Sequence, residues 1–188
     1  MNLSRGWLLF LCGVLLTGLT FAQRERPSTR ELMPRGIEDL RQGASSKTEF
    51  TLDHSMLVLA AKLDPNNEDL RRVIAGVNGI SVHDFRYTSS GGVDPRAIDA
   101  VREDYREAGW TQLLNKYDKN GGVGVTDLWV RLENNAISNV AILVARTSEV
   151  DFFVVSGSIS PIDLSHLGGH FGIPKIEGGI EVPNTARR

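Results

Sequence analysis

Hydrophobic side chains along this chain follow three successive patterns: one long apolar run, then apolar positions three and four apart, then apolar positions two apart. The first run extends from Trp7 to Ala22, with the lone cation Arg5 ahead of it and Thr20, Phe21 and Ala22 closing it before Gln23. Charge, apolar stretch and small residues in that order form a secretory signal, with cleavage expected after Ala22. The sixteen residues of the run, interrupted by Gly13, Thr17 and Gly18, fall short of the ~20 that a spanning helix needs. No stable membrane span is therefore expected after cleavage. The only cysteine, Cys12, follows Leu9, Phe10 and Leu11, whereas a lipoprotein signal places a small residue before its cysteine.

Residues 23–48 mix charges of both signs with two prolines and show almost no apolar period, which reads as a disordered or tethering segment. Helical spacing begins with Leu52, Met56, Leu59, Ala60 and Leu63 and resumes with Leu70, Val73, Ile74 and Val77, predicting two amphipathic helices. Asp53 is read as the cap of the first. Asp64-Pro65, Asp94-Pro95 and Ser160-Pro161 each place a capping oxygen before a proline suited to a first helical turn. The second of these pairs opens a helix with Ala97, Ile98, Val101, Tyr105 and Ala108 on one face, ending at Gly109. Strand signals at 79–87 and 110–117 flank that helix as a β-helix-β unit. Three runs at 123–133, 136–146 and 150–159 then alternate as an antiparallel meander, joined by short polar connections. A short helix from 161 to about 167 and a Gly-rich end follow, with 178–188 read as a flexible tail.

Several of these features, in this order, resemble the bacterial family grouped as domain of unknown function 4252. They are the LxxLAAKL-like text at 56–63, the strand at 79–85 opening Gly79-Ile80, the pair Gly109-Trp110, and VVSGSISPIDLSHLGGHFGIPKIE at 154–177. The resemblance covers about residues 50–177. It implies export and a fold of mixed helix and sheet, supplies no activity or functional residue to inherit, and favours a regulatory or binding role.

Without residues 1–22 the chain keeps no cysteine, which excludes a disulfide and a thiolate metal site. It then carries 20 basic and 23 acidic side chains, and with no basic block a nucleic-acid partner is not expected. His166 and His170 are four apart, but Gly168 and Gly169 between them break the helix a zinc pair would use. Asp118-Lys119-Asn120-Gly121-Gly122 begins like a calcium loop, yet its twelfth position is Trp129 where a bidentate glutamate belongs, so it reads as a turn. Gly121, Gly122 and Gly124 lead into a strand and cradle no phosphate. His54, His83, Asp84 and many serines are present, but no G-x-S-x-G or S-x-x-K pattern selects a nucleophile. No catalytic residue, metal ligand or cofactor is assigned.

The resulting expectation is one α+β domain at 49–177: a two-layer, mainly antiparallel sheet of about five strands with helices packed on one face. The functional expectation is an exported, periplasmic or cell-envelope module, non-enzymatic, that binds a protein partner or itself. The alternatives are a hydrolase-like envelope enzyme of unrecognised type and a small-ligand carrier. A partner-binding patch is read from alternation in the strand 123–133. Leu128, Val130 and Leu132 are assigned to the core, which leaves Val125, Asp127, Trp129 and Arg131 on the outer face beside Leu143 of the next strand.

Overall fold

The computed structural model describes residues 28–88, 92–118, 124–134, 136–160, 162, 163 and 166. The expected signal peptide, most of the calcium-like turn, His170 and the flexible tail lie outside the described residues. The chain enters through a 3-10 turn (Thr29–Leu32) and α1 (Ile37–Gly43), then forms β1 (Ser46–Asp53), α2 (His54–Ala61), α3 (Glu68–Gly76) and β2 (Val77–Arg86). It continues through α4 (Pro95–Glu107), β3 (Thr111–Asp118), β4 (Gly124–Glu133), β5 (Ala136–Arg146) and β6 (Glu149–Ile159).

Local chemistry accounts for the helix starts. Asp53 accepts the N–H of Met56 at 2.9 Å and Asp94 that of Arg96 at 2.9 Å, as their positions before α2 and α4 predict. For α3 the cap is Asn67, which accepts from Leu70 at 2.9 Å. Asp64 does not cap it, because three residues of turn separate Asp64 from the first helical turn. Past β6, the Ser160 hydroxyl accepts the N–H of Asp163 at 3.0 Å while the Asp163 carboxylate accepts the N–H of Ser160 at 3.3 Å. This reciprocal pair marks a helix start where it was expected.

The described strands form one six-stranded sheet in the order β1-β2-β6-β5-β4-β3, with every neighbouring pair antiparallel. The meander β3-β4-β5-β6 is thus extended by a return to β2, and α4 carries the chain from β2 across to β3 at the far edge. One strand more is present than the apolar pattern predicts. It is β1, a polar edge strand of sequence SKTEFTLD that is exposed along almost its whole length.

Helices cover both faces of the sheet, not one. On the first face, Leu57 and Ala61 of α2 and Leu70, Val73 and Ile74 of α3 join Ile80, Val82, Leu128, Ile142, Phe153 and Val155. On the second, Ala97, Ile98, Val101 and Tyr105 of α4 join Phe85, Val125, Trp129, Leu143, Phe152 and Val154. Leu32, Ile37 and Leu40 belong to this second cluster, which corrects the reading of 23–48 as a tether over its described part. Those residues are docked: Tyr87 donates from its hydroxyl to the Leu40 carbonyl at 2.9 Å, Tyr105 to that of Leu32 at 3.2 Å, and the Gly36 N–H to Asp104 at 2.6 Å. Gly36 has no room for a side chain, since a Cβ there would stand 2.7 Å from the Val101 nitrogen.

Candidate functional site

Two-sided burial decides the fate of the expected partner patch. Trp129 is 2% exposed, and Val125, Asp127 and Leu143 are buried with it; among the five, only Arg131 is exposed. The Trp129 ring stacks on Tyr105 of α4 at a centroid distance of 5.1 Å, and Tyr105 in turn meets Trp110 at 4.7 Å. The expected exposed face is therefore core. Alternation separates Leu128 and Val130 from Val125, Asp127 and Trp129 correctly, but α4 covers the side assigned to solvent, and Leu132, assigned to the core, is 43% exposed beyond a register shift after Arg131. Asp127 survives there because Arg102 of α4 donates from Nε at 2.7 Å and Gln112 from Nε2 at 3.0 Å. Burial pushes the Asp127 carboxyl above its ordinary value against the pull of Arg102.

A different polar group lies at the β1–β2 edge of this same face. Successive inward positions on β2 are Ser81 and His83, and the register sets Thr51 of β1 opposite Ser81 and Glu49 opposite His83. Ser81 Oγ is 3.0 Å from His83 Nε2, and His83 Nδ1 is 3.1 Å from Glu49 Oε1. A carboxylate only accepts, so Nδ1 carries the proton of the neutral ring and Nε2 accepts from the Ser81 hydroxyl. Thr51, 3.0 Å away, then donates to Ser81 Oγ. Arg41 completes the chain, donating from Nη2 to both oxygens of Glu49 at 2.7 and 2.8 Å.

The electrostatics keep this chain in one protonation state near neutrality. Burial lowers the His83 value and Glu49 only partly offsets it, so the imidazole is neutral. Burial works to raise the Glu49 carboxyl, but the hydrogen bonds from Arg41 and His83 prevail and hold it below the ordinary carboxylate range. Phe85 and Phe152 flank the imidazole at centroid distances of 6.2 Å, both rings tilted against it. Ser81 and His83 form the floor of an open cleft of about 700 Å³, roofed by Ser28, Arg30 and Met33 of the N-terminal segment and bounded by Arg41. His83 stands out in the sequence, but nothing there selects Ser81. The available signal was a serine and a histidine two apart in an apolar strand, which places them on one face.

The remaining features are chemically quieter. Asp84, Glu149 and Asp151 bring carboxylate oxygens within 4.8 Å of one another, but Arg86 and Arg146 bridge them as ion pairs. His166 Nδ1 is buried without a hydrogen-bond partner among the described residues. A second cleft of about 430 Å³ opens between α4 and β3–β5, and its two arginines, Arg102 and Arg146, are already paired with carboxylates.

Past the exposed His54 and Ser55 of its first turn, the outer side of α2 is apolar. Met56 is 52% exposed, Leu59 64%, and Leu63 in the following turn 84%. Their spacing of three and four puts them in one stripe, opposite Leu57 and Ala61 on the core side.

A family model described as a domain of unknown function (DUF4252) matches residues 42–167. The chain belongs to this family. The DUF4252 match includes α2, the whole sheet and Glu49, Ser81 and His83, and begins just after the residues from Ser28 to Arg41 that roof the cleft. No curated protein and no solved structure matches the chain.

Proposed function

We propose that this DUF4252 chain is exported and serves in the cell envelope as an interaction module, with α2 as its partner-facing element. The observation that carries the reading is the exposed stripe Met56, Leu59 and Leu63. A helix apolar on both its sides past the first turn is normally enclosed. Here α2 buries one side against the sheet and offers the other to solvent, a disposition that a second helix packing along the stripe satisfies. Charges around the stripe are of both signs: Asp53, Lys62, Asp64 and Glu68. That mixture gives no attraction to an anionic bilayer and suits the apolar helix of a protein partner. Export rests on the charged-then-apolar leader and its small residues before Gln23.

The test is capture from cell envelopes with wild-type and Leu59→Glu chains as bait, with light scattering of each chain alone. A surface change away from packed features alters stability by about 0.5 kcal/mol or less, so the variant should keep its fold and lose the captured protein. Equal capture by both chains sinks the α2 assignment. Loss of a dimer in the variant would identify the partner helix as a second copy. An intact mass that begins before Gln23 in the exporting host refutes cleavage at that site.

A further inference from the structure

We propose that Ser81 is a nucleophile for acyl transfer, with His83 as its general base and Glu49 as the residue that positions the base, acting on esters that carry an anionic group. The site lies on the opposite face of the sheet from α2 and is independent of the interaction reading.

Three observations carry this. First, nucleophile, base and orienting carboxylate stand in one unbroken hydrogen-bonded line, Ser81 Oγ to Nε2 at 3.0 Å and Nδ1 to Glu49 at 3.1 Å. Those separations are within the ~2.6–3.2 Å reach that an activated hydroxyl requires. Second, each member is held from outside the line: Glu49 by Arg41, the imidazole by Phe85 and Phe152, and the Ser81 hydroxyl by Thr51. Third, the line forms the floor of a cleft that also presents Arg30, an exposed cation with no ion-pair partner among the described residues. A positive rim above a buried neutral base favours a substrate with negative charge at one end.

The step balances without cofactor or oxidant. An Oγ lone pair forms the bond to the acyl carbon as the Oγ proton passes to Nε2. The carbon–oxygen bond to the leaving alcohol breaks, and the alcohol takes the proton from Nε2. Water then attacks the acyl-Ser81, giving its proton to Nε2, which returns it to Oγ as the acid departs. Paired to β1 on one side and β6 on the other, β2 has its backbone N–H groups committed to the ladder. The carbonyl oxygen is left with the Thr51 hydroxyl, freed once Oγ is acylated. A single missing oxyanion donor slows turnover by about 10²–10³-fold, so slow turnover is expected.

The experiment exposes the purified full chain to an alkyl fluorophosphonate at pH 8 and locates the adduct by peptide mass. One adduct on Ser81 is expected, absent in Ser81→Ala and formed about 10²–10⁴-fold more slowly in His83→Gln. Glu49→Gln should slow it less and change the pH profile of the labelling rate, an effect that lost packing alone would not give. Circular dichroism confirms folding of each variant; if His83→Gln does not fold, the Glu49→Gln profile decides. No adduct on folded wild-type chain, or labelling indifferent to both variants, overturns the proposal. Nitrophenyl acetate and nitrophenyl hemisuccinate test the substrate class, and faster acylation by the neutral ester refutes the role given to the cationic rim.

Discussion

Replacing Trp129 by alanine distinguishes a core tryptophan from a surface anchor, and the structure sets the magnitude. The ring is 2% exposed beneath α4 and stacks on Tyr105 at 5.1 Å. Truncating a buried tryptophan costs about 3–5 kcal/mol, the spread reflecting how well the site can collapse. Collapse is poor here, because the residue directly across on β5 is Ala141, already small, and the sheet backbone cannot move inward. Lost ring stacking is worth about 0.5–1.5 kcal/mol in its own right. The expected loss is therefore in the upper part of the range, about 4–5 kcal/mol. With a urea slope of about 2 kcal/mol per molar, the unfolding midpoint should fall by roughly 2 M. Far-UV circular dichroism is the appropriate signal, since the substitution removes a fluorophore. A shift under about 0.5 M, equivalent to about 1 kcal/mol on that slope, would refute the burial argument.

Removing the chain up to Gly43 takes Leu32, Ile37 and Leu40 from the second core cluster and should lower the melting temperature by well over 5 °C at about 2–4 °C per kcal/mol; an unchanged transition would mean the segment is not docked. Arg102→Met leaves the fully buried Asp127 without its cation and should cost about 3–5 kcal/mol, while Arg102→Met with Asp127→Leu recovers most of it in chemical denaturation. No recovery in the double variant would refute the pairing. For pH, burial holds the folded His83 below the unfolded value of about 6.5. Its contribution is therefore present above that pH and is lost as the pH falls through it towards the folded value. Glu49, also held low when folded, loses its contribution further down, below the unfolded glutamate value of about 4.3. Melting temperatures should thus decline from pH 7 to 5.5, and less steeply in His83→Gln; equal slopes would exclude His83 as the source.

What the apolar pattern reveals and what it conceals have physical reasons. Asp53 and Asp94 announce their helices because a capping oxygen acts within three residues. The segment 28–43 stays hidden because Leu32, Ile37 and Leu40 serve a four-residue turn and a seven-residue helix, too short to show a period. Its burial is decided by α4 and β2, elements far along the chain. Strand β1 escapes notice for a related reason: an edge strand exposed on most positions needs few apolar residues. With β1 unseen, Glu49 and Thr51 could not be placed opposite His83 and Ser81, so the candidate nucleophile stayed one serine among many. Period-two alternation on β4 reports that two sides differ, not that one is wet, and Trp129 was misplaced on that account.

The strand order also bears on when the chain can fold. β2 finds its inner neighbour only in β6, with Phe85 opposite Val150 and Ile80 opposite Val155, so the last strand completes a sheet that the first two cannot build alone. Contacts so distant in sequence slow folding, because a long loop must close before any of them forms. A chain threaded in extended form through a secretion pore, N-terminus first, would reach the far side with β1 and β2 waiting for a partner still inside. Premature folding is the hazard of such a route. Under the proposed export, placing the closing strand at the end of the domain would delay collapse until β6 had crossed.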